Sequence, residues 1–178
     1  MKQVALLRGI NVGKGARVPM KTLKSLLERL GFTDVVTYLN SGNAVFSSPL
    51  AALELARSIE DELEHLFGER IPTLVKTAAE MAAIAESIPS EWSSSDREQT
   101  YVAYLFSEVD RPGIVSDLPV KREFMNIFYT PGAIVWNIKR ENYNRSQITK
   151  IAGHSSYARM TTRNVNTARK LAALCAEG

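Results

Sequence analysis

Cysteine is nearly absent from this chain, and the single thiol, Cys175, excludes an internal disulfide. Histidine is almost as scarce. His65 and His154 lie far apart, so no set of cysteines and histidines with zinc-ligand spacing can be assembled, and neither a metal nor a cofactor is expected. No apolar run approaches the roughly 20 residues that a membrane-spanning helix requires. The N-terminus enters a strand-like segment without the apolar core of a signal peptide, so the expected location is cytoplasmic. Charge of one sign is also in short supply: a net +3 and a pI of about 9.0 favour anionic partners but fall well short of a dedicated nucleic-acid protein.

What remains is a globular composition. The chain has 178 residues, 45% of them hydrophobic, enough to bury one core or two small ones. Residues 3–8, QVALLR, read as a buried strand ended by Gly9. Pro19 suits a first helical turn, and Met20, Leu23, Leu26, Leu27 and Leu30 recur at helical spacing until Gly31. VVTYLN and AVF flank NSGN, which predicts two antiparallel strands joined by a tight Ser41–Gly42 turn. Ser48 and Pro49 then read as the start of a helix. Its expected apolar stripe is Leu53, Ala56, Ile59, Leu63, Leu66 and Phe67, closed by Gly68. IPTLVK supplies a fourth strand, and Thr77 with Glu80 forms a capping box for a further helix through Ile88. The order βαββαβ over residues 1–88 predicts an α+β, ferredoxin-like subdomain.

Residues 89–99, PSEWSSSDREQ, are expected to be a linker. A smaller α+β subdomain is expected over 100–178. It has a strand TYVAYLF, a short helix within 112–118 and a hairpin of REFMNIFYT and AIVWNIK around Pro131–Gly132. A short helix QITKIA capped by Ser146 and a terminal helix NTARKLAALCA complete it. That order echoes the first half without its last strand, an incomplete repeat.

Chemistry concentrates in a few places. In RGINVGKG, Gly9, Gly13 and Gly15 allow backbone angles closed to other residues, and a loop between a strand and a helix start can turn amides toward an anion. Arg8 and Lys14 add charge, and Asn11 offers a donor and an acceptor. Both familiar nucleotide loops are excluded. Three residues, not four, separate Gly9 from Gly13–Lys14, Gly15 follows the lysine, and no G-x-G-x-x-G occurs. In LNSGN, Asn40, Ser41 and Asn43 serve a turn first and a pocket second. TTRNVNTARK holds more candidate cap residues than one helix needs, and Arg163 beside a helix start suits a phosphate or carboxylate. His65 reads as a boundary residue of its helix, and His154 lacks an orienting carboxylate. KREFMNIFY has the composition of a nucleic-acid stacking platform, although alternating aromatics in a strand more often belong to a core.

LLRGINVG, TYLNSGNAVF and TTRNVNTARKL, in that order, resemble the family of uncharacterised bacterial proteins grouped as DUF1697. The resemblance implies a two-part α+β fold. It marks Arg8, Gly9, Asn11 and Gly13, then Ser41, Gly42 and Asn43, then Arg163, Asn164, Asn166 and Thr167. Val165 departs from the tryptophan expected there. No activity is implied. The expected function is a binding module for an anionic ligand: a phosphorylated small molecule, a nucleotide or, with weaker support, an RNA end. The three segments are expected to meet in a cleft between the subdomains. The alternatives are a metal-independent enzyme using His154 or a carboxylate as base, and an oligomerising structural domain.

Overall fold

The computed structural model describes residues 1–177. β1 (Lys2–Leu7) opens the chain with the buried apolar run Val4–Leu7, as a strand covered on both faces should, and Gln3 before it is also buried. It leads through a glycine loop to α1 (Met20–Arg29), whose N-cap is Pro19 and whose buried stripe is Leu23, Leu26 and Leu27. β2 (Thr33–Thr37), β3 (Asn43–Ser47), α2 (Ala52–Phe67) and β4 (Thr73–Thr77) follow. The strands form one antiparallel sheet in the order β2-β3-β1-β4. Ala5, Leu7, Ala44, Phe46 and Val75 on one face of this sheet pack with the stripes of α1 and α2. Gly68, at φ 76°, ends α2 as expected, its N–H donating to Glu64 O at 2.8 Å.

α3 (Ala78–Ser87) begins at the expected capping box. Thr77 N–H donates to Glu80 Oε2 at 2.8 Å, and Glu80 N–H donates to Thr77 Oγ1 at 3.2 Å. β5 (Glu98–Leu105), α4 (Ile114–Asp117), β6 (Asn126–Thr130), β7 (Ala133–Lys139), α5 (Tyr143–Ser146), β8 (Met160–Asn164) and α6 (Val165–Ala176) follow, with short 3₁₀ segments of three to six residues between them. The second sheet is also four-stranded and antiparallel, in the order β6-β7-β5-β8. The chain divides into two compact units, Met1–Ala82 with the segment from Leu171 onward, and Ala83–Lys170; both divisions fall inside helices, α3 and α6. Residues 89–99 lie in the second unit, where the Arg169 guanidinium donates to Trp92 O at 2.8 Å and Pro89 O at 3.1 Å.

Several expectations need correction. The connection between β2 and β3 is a five-residue loop, 38–42, instead of a two-residue turn. Tyr38 N–H donates to Asn43 O at 3.0 Å while the Asn43 side-chain amide donates to Tyr38 O at 2.8 Å, so one side chain closes a wider loop. α2 starts at Ala52, with Glu54 accepting from Ala51 N–H at 3.3 Å, whereas Ser48 Oγ accepts only from Leu50 N–H. Its buried stripe is Leu55, Ile59 and Leu63, and Leu53 is 64% exposed. Two residues of helix rotate a side chain by roughly 200°, which turns Leu53 away from Leu55. QITKIA forms a 3₁₀ segment over Ile148–Gly153 after Gln147 adopts φ 59°. The repeat is not missing its last strand: β8, from MTTRN, occupies in the second sheet the position of β4 in the first. Its β-branched threonines suit a strand as well as a cap.

Candidate functional site

The loop from Arg8 to Pro19 is held by side-chain and backbone bonds. Gly9 and Gly13 take φ of 72° and 50°, and Asn11 takes φ 56°. Asn11 uses its whole amide on the protein. Its Oδ1 accepts from Val18 N–H at 2.8 Å, and its Nδ2 donates to Val18 O at 2.9 Å and to Asn40 O at 2.8 Å. Asn11 thus ties the first glycine loop to the 38–42 loop. Leu7 N–H donating to Gly42 O at 2.9 Å adds a second tie, and Arg8 N–H donates to Pro72 O at 2.9 Å.

Two glycines are fixed by close approach. A Cβ at Gly15 would lie 2.0 Å from Gly9 O. Gly42, at φ 88°, would place a Cβ 2.7 Å from Leu7 Cβ and 2.8 Å from Ile10 Cδ1. Asn43 is buried, donating to Tyr38 O and, at 2.9 Å, to Ser41 Oγ. The first two motifs therefore meet within the first unit, and Asn11, Ser41 and Asn43 there hold loop geometry.

The charged side chains around these loops are exposed. Lys14, Arg17, Lys21 and Lys24 are all at the surface, and Arg8 is half-buried. No Asp or Glu occurs before Glu28. Lys14, Arg17, Lys21 and Lys24 make no ion pair with the described residues; Arg17 donates to Gly13 O at 3.0 Å. Pro19 brings no side-chain acceptor to the start of α1, so its first amides add positive potential to the same side of the unit. Sequence inspection identified Arg8 and Lys14 but missed Arg17, Lys21 and Lys24, which lie outside the glycine motif. The lack of any acid over the first 27 residues is the signal that would have found them.

The third motif lies in the second unit up to Lys170. Arg163 is a strand residue of β8, 6% exposed, donating to Thr161 Oγ1 at 2.8 Å and Thr162 O at 3.0 Å. Burial lowers its guanidinium pKa to about 10, against a smaller opposing influence from Tyr104. Asn164 Oδ1 accepts from Asn166 N–H at 2.9 Å, an Asx turn at the start of α6. Asn166 is exposed and Thr167 is buried.

Other groups show little catalytic arrangement. His154 Nδ1 accepts from Ser156 N–H at 3.2 Å, and His65 is exposed on α2. The acidic run of α2 surrounds Arg70, which bonds Glu60 at 2.8 Å, Glu64 at 3.0 Å and Asp61 at 3.2 Å. In KREFMNIFY, Phe128 packs on Trp92 with centroids 5.7 Å apart and Arg145 lies 5.8 Å from the Phe124 ring centroid. Cys175 is buried and its thiol is pushed up by that burial, which disfavours the reactive thiolate. Among the described residues, no group of three or more His, Cys, Asp or Glu is placed to hold a metal ion, and no helix is long and apolar enough to cross a membrane.

Two four-stranded antiparallel sheets and the ordered RGINVG and LNSGN motifs define the class of protein. The chain belongs to DUF1697, a family of proteins of unknown function whose model matches residues 1–136, a span that holds the first two motifs and ends before the third. Its fold is similar to that of the conserved bacterial protein SP0830 from Streptococcus pneumoniae, with a TM-score of 0.84 at 22% identity over 98% of each chain. No curated protein matches the chain.

Proposed function

We propose that this protein is a binding module for an anionic ligand of the phosphate class, a phosphorylated small molecule, a nucleotide or an RNA end, and that each of its sheet units is ferredoxin-like. The split βαβ order β1-α1-β2-β3-α2-β4, with sheet order β2-β3-β1-β4, supports the second part. One observation carries the first: a loop and helix start bearing the exposed Lys14, Arg17, Lys21 and Lys24, with Arg8 half-buried at the base of the loop and no acidic residue before Glu28. Exposed cations without carboxylate partners raise the local concentration of anions, and a bridged phosphate can accept from several of them at once. Gly9 and Gly13 shape the loop, while Asn11, Ser41 and Asn43 hold it. Arg163, Asn164 and Thr167 serve the end of β8 and the start of α6, and in this reading they make no ligand contact.

The test is a thermal-shift titration of the full chain with pyrophosphate and with a 5′-phosphorylated RNA oligomer, repeated at rising salt. A ligand at 100 times its dissociation constant adds about 2.7 kcal/mol of stability. The expected result is a saturable, salt-sensitive stabilisation that is lost in the double variant Lys14→Glu/Arg17→Glu. Stabilisation by the oligomer but not by pyrophosphate assigns the site to RNA. Equal shifts in the native chain and the double variant, or none in either, would overturn the reading.

A further inference from the structure

On the helix-bearing face of the second sheet, Tyr101 of β5 stands directly opposite Trp136 of β7, with ring centroids 6.2 Å apart. These rings line a cavity of about 240 Å³, walled by Ile148 and Ile151 of the 3₁₀ turn, with Tyr143 36% exposed. That volume is several times the roughly 30 Å³ of a single water. It lies just below the range of about 300–1,000 Å³ typical of drug-sized ligands, so it suits a molecule of one or two rings.

Its lining contains no charged side chain, but it is not simply apolar. Gln99, Thr149 and Thr162 contribute an amide and two hydroxyls, and none of these side chains hydrogen-bonds to another described residue. Trp136 is only 6% exposed, but its indole N–H bonds no described residue and is not among the buried unpaired groups, so it opens to solvent. An indole N–H open to solvent beside a cavity is free to donate to a ligand that brings an acceptor.

We propose that the second unit holds a binding pocket for a neutral planar heterocycle of nucleobase type, stacked against Tyr101 and Trp136 with its polar edge bonded to Gln99, Thr162 and the Trp136 indole. A quaternary ammonium would also enjoy the aromatic faces, but it has no hydrogen-bonding edge to match the amide, hydroxyl and indole groups of the lining. The site lies wholly within the second unit and does not depend on the anion site of the first.

The chain has two tryptophans, Trp92 and Trp136, so a Trp92→Phe variant makes Trp136 the sole indole reporter. Titrating this full-length variant with adenine and with uracil, uncharged probes without phosphate, should give saturable quenching. Gln99→Ala and Thr162→Val should each weaken binding by about three- to tenfold, whereas Lys14→Glu/Arg17→Glu should leave it unchanged. A thermal-shift titration of the native chain with the same bases gives an independent reading if Trp92→Phe fails to fold. The proposal is overturned if neither base binds at millimolar concentration, if tetramethylammonium displaces the base, or if both pocket variants bind as the parent does.

Discussion

The two units share a scaffold and differ in what they attach to it. Val45, Val4 and Lys76 align across β3, β1 and β4, as Val135, Val102 and Arg163 align across β7, β5 and β8. Each unit thus buries a cation of its last strand opposite a valine of its first, with Lys76 5% and Arg163 6% exposed. The loops that follow the first strands diverge. In the first unit the loop is cationic and free of acids, and its asparagine is spent on backbone. In the second, the connection over residues 106–113 satisfies its charges internally. Asp110 accepts from Tyr129 Oη at 2.8 Å and Gly132 N–H at 3.0 Å, Arg111 pairs with Asp117, and Glu108 lies 3.8 Å from Arg159. The exposed Lys14 and Arg17, which make no ion pair with the described residues, are a local feature of one of two matched loops, not something the scaffold imposes.

The helix-bearing faces differ as well. α1 and α2, of 10 and 16 residues, fill the first face with leucine and isoleucine stripes. The second is covered by four-residue helices and 3₁₀ turns, which leave the aromatic cavity open.

The largest effect expected from perturbing this comparison is at the hairpin glycines. Gly42→Ala meets both a left-handed φ and the Leu7 and Ile10 side chains, and should cost about 3 kcal/mol in denaturant unfolding. Gly132→Ala, also at φ 88°, tests the corresponding turn of the second unit, and the conformational part alone costs about 1–2 kcal/mol. Asn11→Ala strands Val18 N–H and two carbonyls, and should destabilise the chain by about 2 kcal/mol in the same measurement.

The buried Arg163 should show itself at alkaline pH. Its folded-state pKa lies below its unfolded value, so the folded chain holds fewer protons as pH rises past about 10. The penalty for its buried charge is therefore full below that pH and is relieved above it. The stability of the native chain relative to Arg163→Met should rise between pH 9 and pH 11, read from denaturation midpoints. The smallest effect on folding belongs to the proposed ligand-facing residues: Lys14→Glu/Arg17→Glu should change stability by less than about 0.5 kcal/mol, since both side chains are exposed and unpaired with acids.

Features closed by neighbouring residues were legible in the sequence. β1, the Gly68 stop and the Thr77–Glu80 box depend on segments of a few residues and occur where expected. The wider 38–42 loop was not legible, because Asn43 bonds Tyr38 through its side chain where a backbone turn was assumed. β8 was hidden because Thr161, Thr162 and Asn164 satisfy strand and cap chemistry equally well, and only pairing with β5 decides between them. Arg8 and Lys14 were visible inside a glycine motif, whereas Gln99, Trp136 and Thr162 come together only through sheet pairing and a distant turn.

Anion binding by the first unit is tested most directly by following backbone amide resonances of the full chain during a pyrophosphate titration. The expected result is a saturable set of shifts confined to residues 8–24 and the 38–42 loop, weakening as salt rises and absent in Lys14→Glu/Arg17→Glu. A chain that shows no saturable shifts, or shows them only in residues of the second unit, would contradict it.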